Sequence, residues 1–338
     1  FMGCMEAYKM TGKELYLKAA LNWAEENHWQ TDYYGKEDYA KEVLEEHFTE
    51  KGGCGWKYAD SRNYLNIHAD LTACGQVYLE LFRYFPEKAD LRILLQVMEF
   101  NADDPHPDYW WWADAVHMGL YVYHKVSQMQ REEKYARKAH QLYLHLKEVR
   151  KCYDTEEYLW YRDERFLPEK MRTQNGRKVF WSRGNGWVYA GLIRTLGILE
   201  EKSPYYHEYK KVFLEMTQAL IPCQKADGFW PASLKDPLEY PEKETSGTLL
   251  FLYAILRAIR LGILDERYLP FFIRGFRAVN EEALQKDGTV GWVQGVADRP
   301  GKTEEQSSKD YAVGYYLMVC CEWIAWCREN TSRYITPD

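Results

Sequence analysis

The chain has 338 residues and a formal net charge of −7, with 44 Lys and Arg against 51 Asp and Glu. That balance argues against nucleic acid as a partner, because phosphate binding needs a basic surface, and apolar runs such as 249–256 are too short to span a bilayer. Eight scattered cysteines show no CxxC and no zinc spacing, so they read as reduced thiols, while aromatic residues at 16% are the strong signal, since flat rings pack cores and also stack on sugars.

Taken in chain order, apolar residues at i, i+3, i+4 and i+7 predict eleven helices. Segments near 1–10, 67–84, 112–128, 185–200, 246–262 and 310–327 are apolar or small on nearly all sides, the pattern of buried helices. Segments near 13–28, 87–101, 132–150, 204–224 and 266–285 are amphipathic, with one charged face for solvent. The two kinds alternate strictly. This predicts an all-α fold, an (α/α)6 barrel with an inner and an outer ring of helices, in one domain over 1–338. A solenoid would show a fixed period and polar end caps, and neither is found. Six inner helices need six outer ones, and the chain supplies five. The expectation is that the first outer helix lies upstream of residue 1, the alternative being a barrel open at that point.

Loops from inner to outer helix are short, as at "TGK" and "YFPEK". Loops from outer back to inner helix are long: 29–66, 102–111, 151–184, 225–245 and 286–309. Alternation puts all of them at one end, beside the N-termini of the inner helices, and long structured loops usually carry function. Several contain a glycine turn followed by an aromatic: Gly55-Trp56, Asp227-Gly228-Phe229-Trp230 and Asp287-Gly288 through Trp292. They read as hairpins that present tryptophans to a cleft.

At that end lie the residues that could carry chemistry. Asp114 follows Trp110, Trp111 and Trp112 in "PDYWWWADAVHMGL". Aromatic walls would raise its pKa and make it a proton donor near neutral pH; as a carboxylate at a helix start it could equally satisfy backbone N–H groups. Asp70 holds the matching place on the preceding inner helix, where a cap is the simpler role. Two carboxylates facing one pocket suggest sugar chemistry.

In "VFWSRGNGWVYAGL", Arg183 precedes Gly184 and Gly186 at a helix entrance, between Trp181 and Trp187. Bare backbone, a helix N-terminus and an arginine suit an anion, and the tryptophans supply flat faces. The alternative is a buried turn with Arg183 paired to a core acid. Near "YPEKETSGT", Ser246 is the expected N-cap, leaving Glu244 to anchor Arg183 or line the pocket. Arg162 and Asp163 could contact polar ligand groups or form a surface ion pair. His68, His106 and His117 lie near the same mouth, but without HxH or HxxxH spacing they do not point to a metal.

"WWWADAVHM", "VFWSRGNGWVYAGL" and "DGFWPASLKDPLEYPEKETSGT" resemble, in order and separation, family 105 of the glycoside hydrolases, the unsaturated rhamnogalacturonyl hydrolases. The resemblance covers nearly the whole chain and implies the (α/α)6 barrel, with a pocket at one end. It implies an enzyme that hydrates the C4=C5 double bond of a 4,5-unsaturated uronic acid at the non-reducing end of lyase-generated oligosaccharides of the pectin type. No metal or organic cofactor is implied, and the partner is a small oligosaccharide. By motif, Asp114 resembles the general acid/base and Asp70 the second acid. Trp181 and Trp187 resemble stacking residues, Arg183 the holder of the uronate carboxylate, and Trp112 a lining residue. His117 stands where many members have Phe or Tyr, and Arg162 lies in a loop where some members place a ligand-binding His. A sugar epimerase on the same barrel would need several catalytic histidines. A non-catalytic sugar-binding barrel would not need the Asp pair.

Overall fold

The computed structural model describes residues 1–31 and 69–334. Its helices are α1 (Met2–Thr11), α2 (Glu14–Glu26), α3 (Asp70–Ala73, continued through Cys74 by Gly75–Tyr84), α4 (Arg92–Asp103), α5 (Ala115–Gln130) and α6 (Glu133–Leu144). They continue with α7 (Ser182–Leu196), α8 (Tyr206–Leu220), α9 (Thr245–Arg260), α10 (Leu269–Ala278) and α11 (Asp310–Tyr334). A two-residue hairpin pairs β1 (Tyr153–Asp154) with β2 (Leu159–Trp160), antiparallel.

The odd-numbered helices form the inner ring. Each packs on the next, and α11 returns to α1, so the ring is closed. Each even-numbered helix packs against the inner helix before it. The alternation of all-round apolar and amphipathic segments is therefore the architecture itself, two concentric rings. The apolar and small residues of α7 and α9 are buried almost throughout because they have helices on both flanks and an outer helix behind. Periodicity overran two outer helices: α6 ends in a π turn (His145–Val149), as does α10 (Val279–Ala283), and neither turn breaks the apolar pattern.

Two close approaches set the ring's diameter. Where α1 meets α11, a Cβ on Gly3 would lie 2.4 Å from the carbonyl oxygen of Gly314. At the entrance to α7 and α9, a Cβ on Gly186 would meet Leu250 at 2.7 Å, and one on Gly247 would meet Ser182 Oγ at 2.2 Å. The glycines of "SRGNGW" and "TSGT" thus let two helices touch. Their burial corrects the expectation of bare backbone open to an anion.

The hairpins at Gly228 and Gly288 form, with φ of +92° and +87° and return hydrogen bonds from Lys225 to Phe229 and from Gln285 to Thr289. Their tryptophans do not face a cleft as expected. Trp230 is fully buried and donates to the carbonyl of Leu220 at 2.7 Å, because an indole N–H inside a wall needs an acceptor. Gly55-Trp56, Cys54 and His68 lie outside the described residues; the seven described cysteines are free thiols. No helix among the described residues is long and apolar enough to cross a membrane.

Gly3→Ala should force α1 and α11 apart and lower stability by about 1–3 kcal/mol, whereas Gly314→Ala, which meets nothing within 4 Å, should cost little. Urea denaturation of both variants checks this; equal costs would remove the backbone contact as the closure point.

Candidate active site

The long loops are stitched into a belt around the mouth. Ala113 N–H donates to the Arg162 carbonyl at 2.7 Å, Ser182 N–H to Ala232 at 2.9 Å, and Leu234 N–H to Phe180 at 2.9 Å. Thr245 N–H donates to Trp292 at 3.0 Å. The entrances of α5, α7 and α9 are therefore each held by the loop that precedes the next inner helix. Asn185 completes the belt: its amide accepts from Trp160 N–H at 2.7 Å and donates to the carbonyls of Trp160 and Trp181.

Inside the belt lies a cavity of about 570 Å³, within the range of small-ligand sites. Asp70, Asp114, His117, Trp187, Tyr311 and Tyr315 line it. Asp70 opens α3 and Asp114 immediately precedes α5, so the two carboxylates meet at one mouth, as the alternation of helices required.

Asp114 is 9% exposed. Its side chain makes no cap hydrogen bond to α5, and Oδ2 has no partner among the described residues. Burial raises its pKa to about 6; Arg162 and Arg183 pull it down, and Asp70 adds to the rise. Of the two roles open in the sequence, the cap is thus not the one it fills.

His117 is one turn further along α5. Its ring meets Trp187 at 4.7 Å between centroids, and its Nε2 is hydrogen-bonded to the Tyr315 hydroxyl. Burial, with Arg194 nearby, holds the imidazole well below its usual pKa, so it is neutral. Trp187 also meets Tyr311 and Tyr315 edge-on, at 5.9 and 5.8 Å.

The other expected residues stand behind the wall. Arg183 is 3% exposed and absent from the cavity lining. Its guanidinium donates to the carbonyls of Gln294 at 2.6 Å and Gly295 at 2.7 Å and to the Tyr311 hydroxyl at 2.7 Å, and it lies 4.6 Å from the Trp181 ring. Trp181 is buried beneath it, with its indole N–H on Gln294 Oε1 at 2.9 Å. Glu244, not Ser246, caps α9: its carboxylate accepts from Ser246 N–H at 3.0 Å and Gly247 N–H at 2.7 Å. The Ser246 hydroxyl bridges Glu244 to Arg183, which makes Glu244 the arginine's anchor at one remove. Arg162 pairs with Asp163 at 2.7 Å and lies 4.9 Å from the Trp111 ring and 6.0 Å from Trp112, which is buried. This ion pair is buried, not a surface one: burial pushes the Asp163 carboxyl up, but hydrogen bonds from Arg165 and Arg162 hold it below the usual range.

Sequence reasoning missed Tyr311 and Tyr315. The signal was available, since two tyrosines four residues apart on a buried helix share one face. Gln76, six residues after Asp70, was also missed. Among the described residues no group of three His, Cys, Asp or Glu side chains converges as a metal site.

The pattern of Glycosyl Hydrolase Family 88 matches residues 1–326. An unsaturated 3S-rhamnoglycuronyl hydrolase of Formosa agariphila is 29% identical over 332 residues, 95% of this chain and 82% of that protein. One of the same name from Alteromonas sp. is 32% identical over 64% of this chain and 52% of its own length. Among solved structures, a glycosyl hydrolase of family 88 from Bacteroides vulgatus superimposes with a TM-score of 0.84 at 31% identity, over 96% of this chain and 89% of its own. A protein described as a polysaccharide lyase does so at 0.85 and 32%, over 97% and 89%. A family 105 glycoside hydrolase of C. acetobutylicum, at 0.69 and 20% over 96% and 91%, shares the fold. The barrel and the resemblance to the unsaturated uronyl hydrolases are borne out.

Arg183→Lys should lower unfolding stability by about 2 kcal/mol or more, because an ammonium cannot reach both buried carbonyls and the Tyr311 hydroxyl. Urea denaturation reads this; an unchanged midpoint would mean that the loop carbonyls do not depend on the guanidinium.

Proposed function

The chain belongs to Glycosyl Hydrolase Family 88 and is an unsaturated uronyl glycoside hydrolase, and we propose that Asp114 is its general acid/base, acting on a terminal 4,5-unsaturated uronate bound in the cavity. The observation that carries this is a buried carboxyl, excluded from capping, raised to about 6 and facing the cavity beside Asp70. Such a group holds a proton near neutral pH and can lose it.

Protonated Asp114 gives its proton to C4. The C4=C5 pair forms the new C–H bond, and the positive charge rests on C5 and the ring oxygen. The carboxylate left behind takes a proton from water as the water oxygen bonds to C5. The hemiketal so formed opens by breaking the bond from C5 to the ring oxygen, leaving a ketone at C5. The hemiacetal at C1 then releases the next sugar and becomes an aldehyde. One water is consumed, and Asp114 ends protonated as it began. Asp70 keeps the first proton on Asp114 by its charge, and Trp187 offers the exposed ring face for stacking. Arg183, Trp181, Trp112, Arg162 and Glu244 act from behind the wall, through the loops and through charge. The two hydrolases named above carry the rhamnoglycuronyl name, which supports a uronate joined to a rhamnose-type sugar, as in rhamnogalacturonan fragments.

The lyase described above supports a second reading. The two differ in sign: a lyase creates the ultraviolet-absorbing unsaturated acid, and this hydrolase consumes it. A rise in absorbance on intact polysaccharide, with none lost on unsaturated disaccharide, would favour the lyase.

Asp114→Asn should reduce loss of that absorbance by roughly 10²-fold or more while the fold is kept; turnover at the wild-type rate would end the assignment. Because the acid must start protonated, kcat/KM should fall as pH rises through about 6. Stability has the same sign. A carboxyl whose folded pKa lies above its unfolded value of 3.8 contributes stability below that value and loses it as pH rises through about 6. Asp114→Asn should therefore be more stable than wild type at pH 7–8, by on the order of 2 kcal/mol; thermal unfolding at pH 5 and pH 8 checks it.

A further inference from the structure

Below Asp114 the cavity is lined by a polar layer that the proposed reaction does not use. His117 sits three residues after Asp114, about 4.5 Å further down α5. Tyr315 sits on α11. In the inner ring α5 and α11 are opposite, separated by α7 and α9 one way round and by α3 and α1 the other. The hydrogen bond between His117 Nε2 and the Tyr315 hydroxyl therefore crosses the lumen.

The crossing is braced from two further helices. Arg194 of α7, 6% exposed, donates to Gln76 Oε1, its charge bears on the Tyr315 hydroxyl, and its guanidinium lies 4.6 Å from the Tyr121 ring. Gln76 of α3 donates to the His117 carbonyl at 3.0 Å. All four inner helices are tied into one layer. Moving either ring would strand buried hydrogen-bonding groups, the costly direction of that exchange. The layer is therefore a stop and not a cushion.

We propose that the braced His117–Tyr315 pair is the specificity-determining floor of the terminal-sugar subsite: it halts the unsaturated ring level with Asp114 and excludes rings whose inward-facing hydroxyl carries a bulky substituent such as sulfate. The pair positions the substrate and does not touch the reacting bond. The proposal rests on the hydrolase reading above.

The test compares two unsaturated disaccharides, one with free hydroxyls on the uronate and one sulfated at its 2-hydroxyl, with wild type, Tyr315→Phe, Tyr315→Ala and His117→Ala. Wild type should prefer the unsubstituted substrate in kcat/KM by about 100-fold or more. Tyr315→Phe keeps the bulk and should keep the preference. Each Ala variant should narrow it at least about tenfold by gaining on the sulfated substrate, while kcat on the unsubstituted one falls about tenfold and KM moves less than about threefold. Tyr315→Leu and His117→Ser replace any Ala variant that fails to fold by circular dichroism. Folded variants that leave the preference unchanged, or a wild type that does not discriminate, would overturn the floor and leave the hydrolase reading standing. No consumption of either disaccharide by wild type would overturn that reading, and the floor with it.

Discussion

A carboxyl group denied water governs this molecule. Asp114 follows Trp110–Trp112 and shares its cavity with Trp187, with its helix offering it no cap and Oδ2 no partner among the described residues. Burial pushes its proton on, while Arg162 and Arg183 pull it off. Neither wins outright, and a group balanced near pH 6 can both give and take a proton within one turnover. The site needs walls dry enough to hold that balance, and most of the structure around the mouth is concerned with making them.

The belt of loops supplies those walls. Arg183 shows how. An arginine beside glycines at a helix entrance suggests a ligand contact, yet the structure spends its donors on the carbonyls of Gln294 and Gly295. Fixing these carbonyls holds the loop that precedes α11, which brings Tyr311 and Tyr315 into the cavity. Glu244 reaches the same arginine through Ser246 while capping α9. One cation thus secures two inner-helix entrances. The cavity-facing aromatic of that motif is Trp187, and not Trp181, which serves as the arginine's packing surface.

The barrel was legible because concentric rings impose two different patterns on alternate helices, and burial on all sides leaves no polar stripe. The mouth was legible from loop length, since alternation leaves the long loops only one end to occupy. The Asp pair was legible from its place at successive inner-helix starts. What each wall residue faces was not. Trp181 stands at the N-cap of α7 and Trp187 lies six residues on within it, and only the folded packing shows which indole reaches the cavity. Pairings across the lumen were equally hidden: His117 and Tyr315 are 198 residues apart, and no local pattern links them.

Charge explains how a chain of net −7 can receive an anionic sugar. The sum over the surface matters less than the sign inside the lumen. Arg162 is largely answered by Asp163, and Arg183 is partly answered by Glu244 through Ser246. Arg194 donates to the neutral Gln76 and faces the Tyr121 ring, with Tyr315 and the Glu6 carboxylate near enough to feel its charge. It makes no direct ion pair among the described residues, so part of its charge reaches the lumen. At an effective dielectric near 20, one such charge some 8 Å from a carboxylate contributes about 2 kcal/mol of attraction, with little screening by salt because the path is buried. Burial, with this cation's help, keeps His117 neutral, and burial raises Tyr315 to about 12 against the cation's pull. On the proposed reading, a positive potential from beneath the floor attracts the uronate without a direct contact and leaves the cavity wall free to be aromatic.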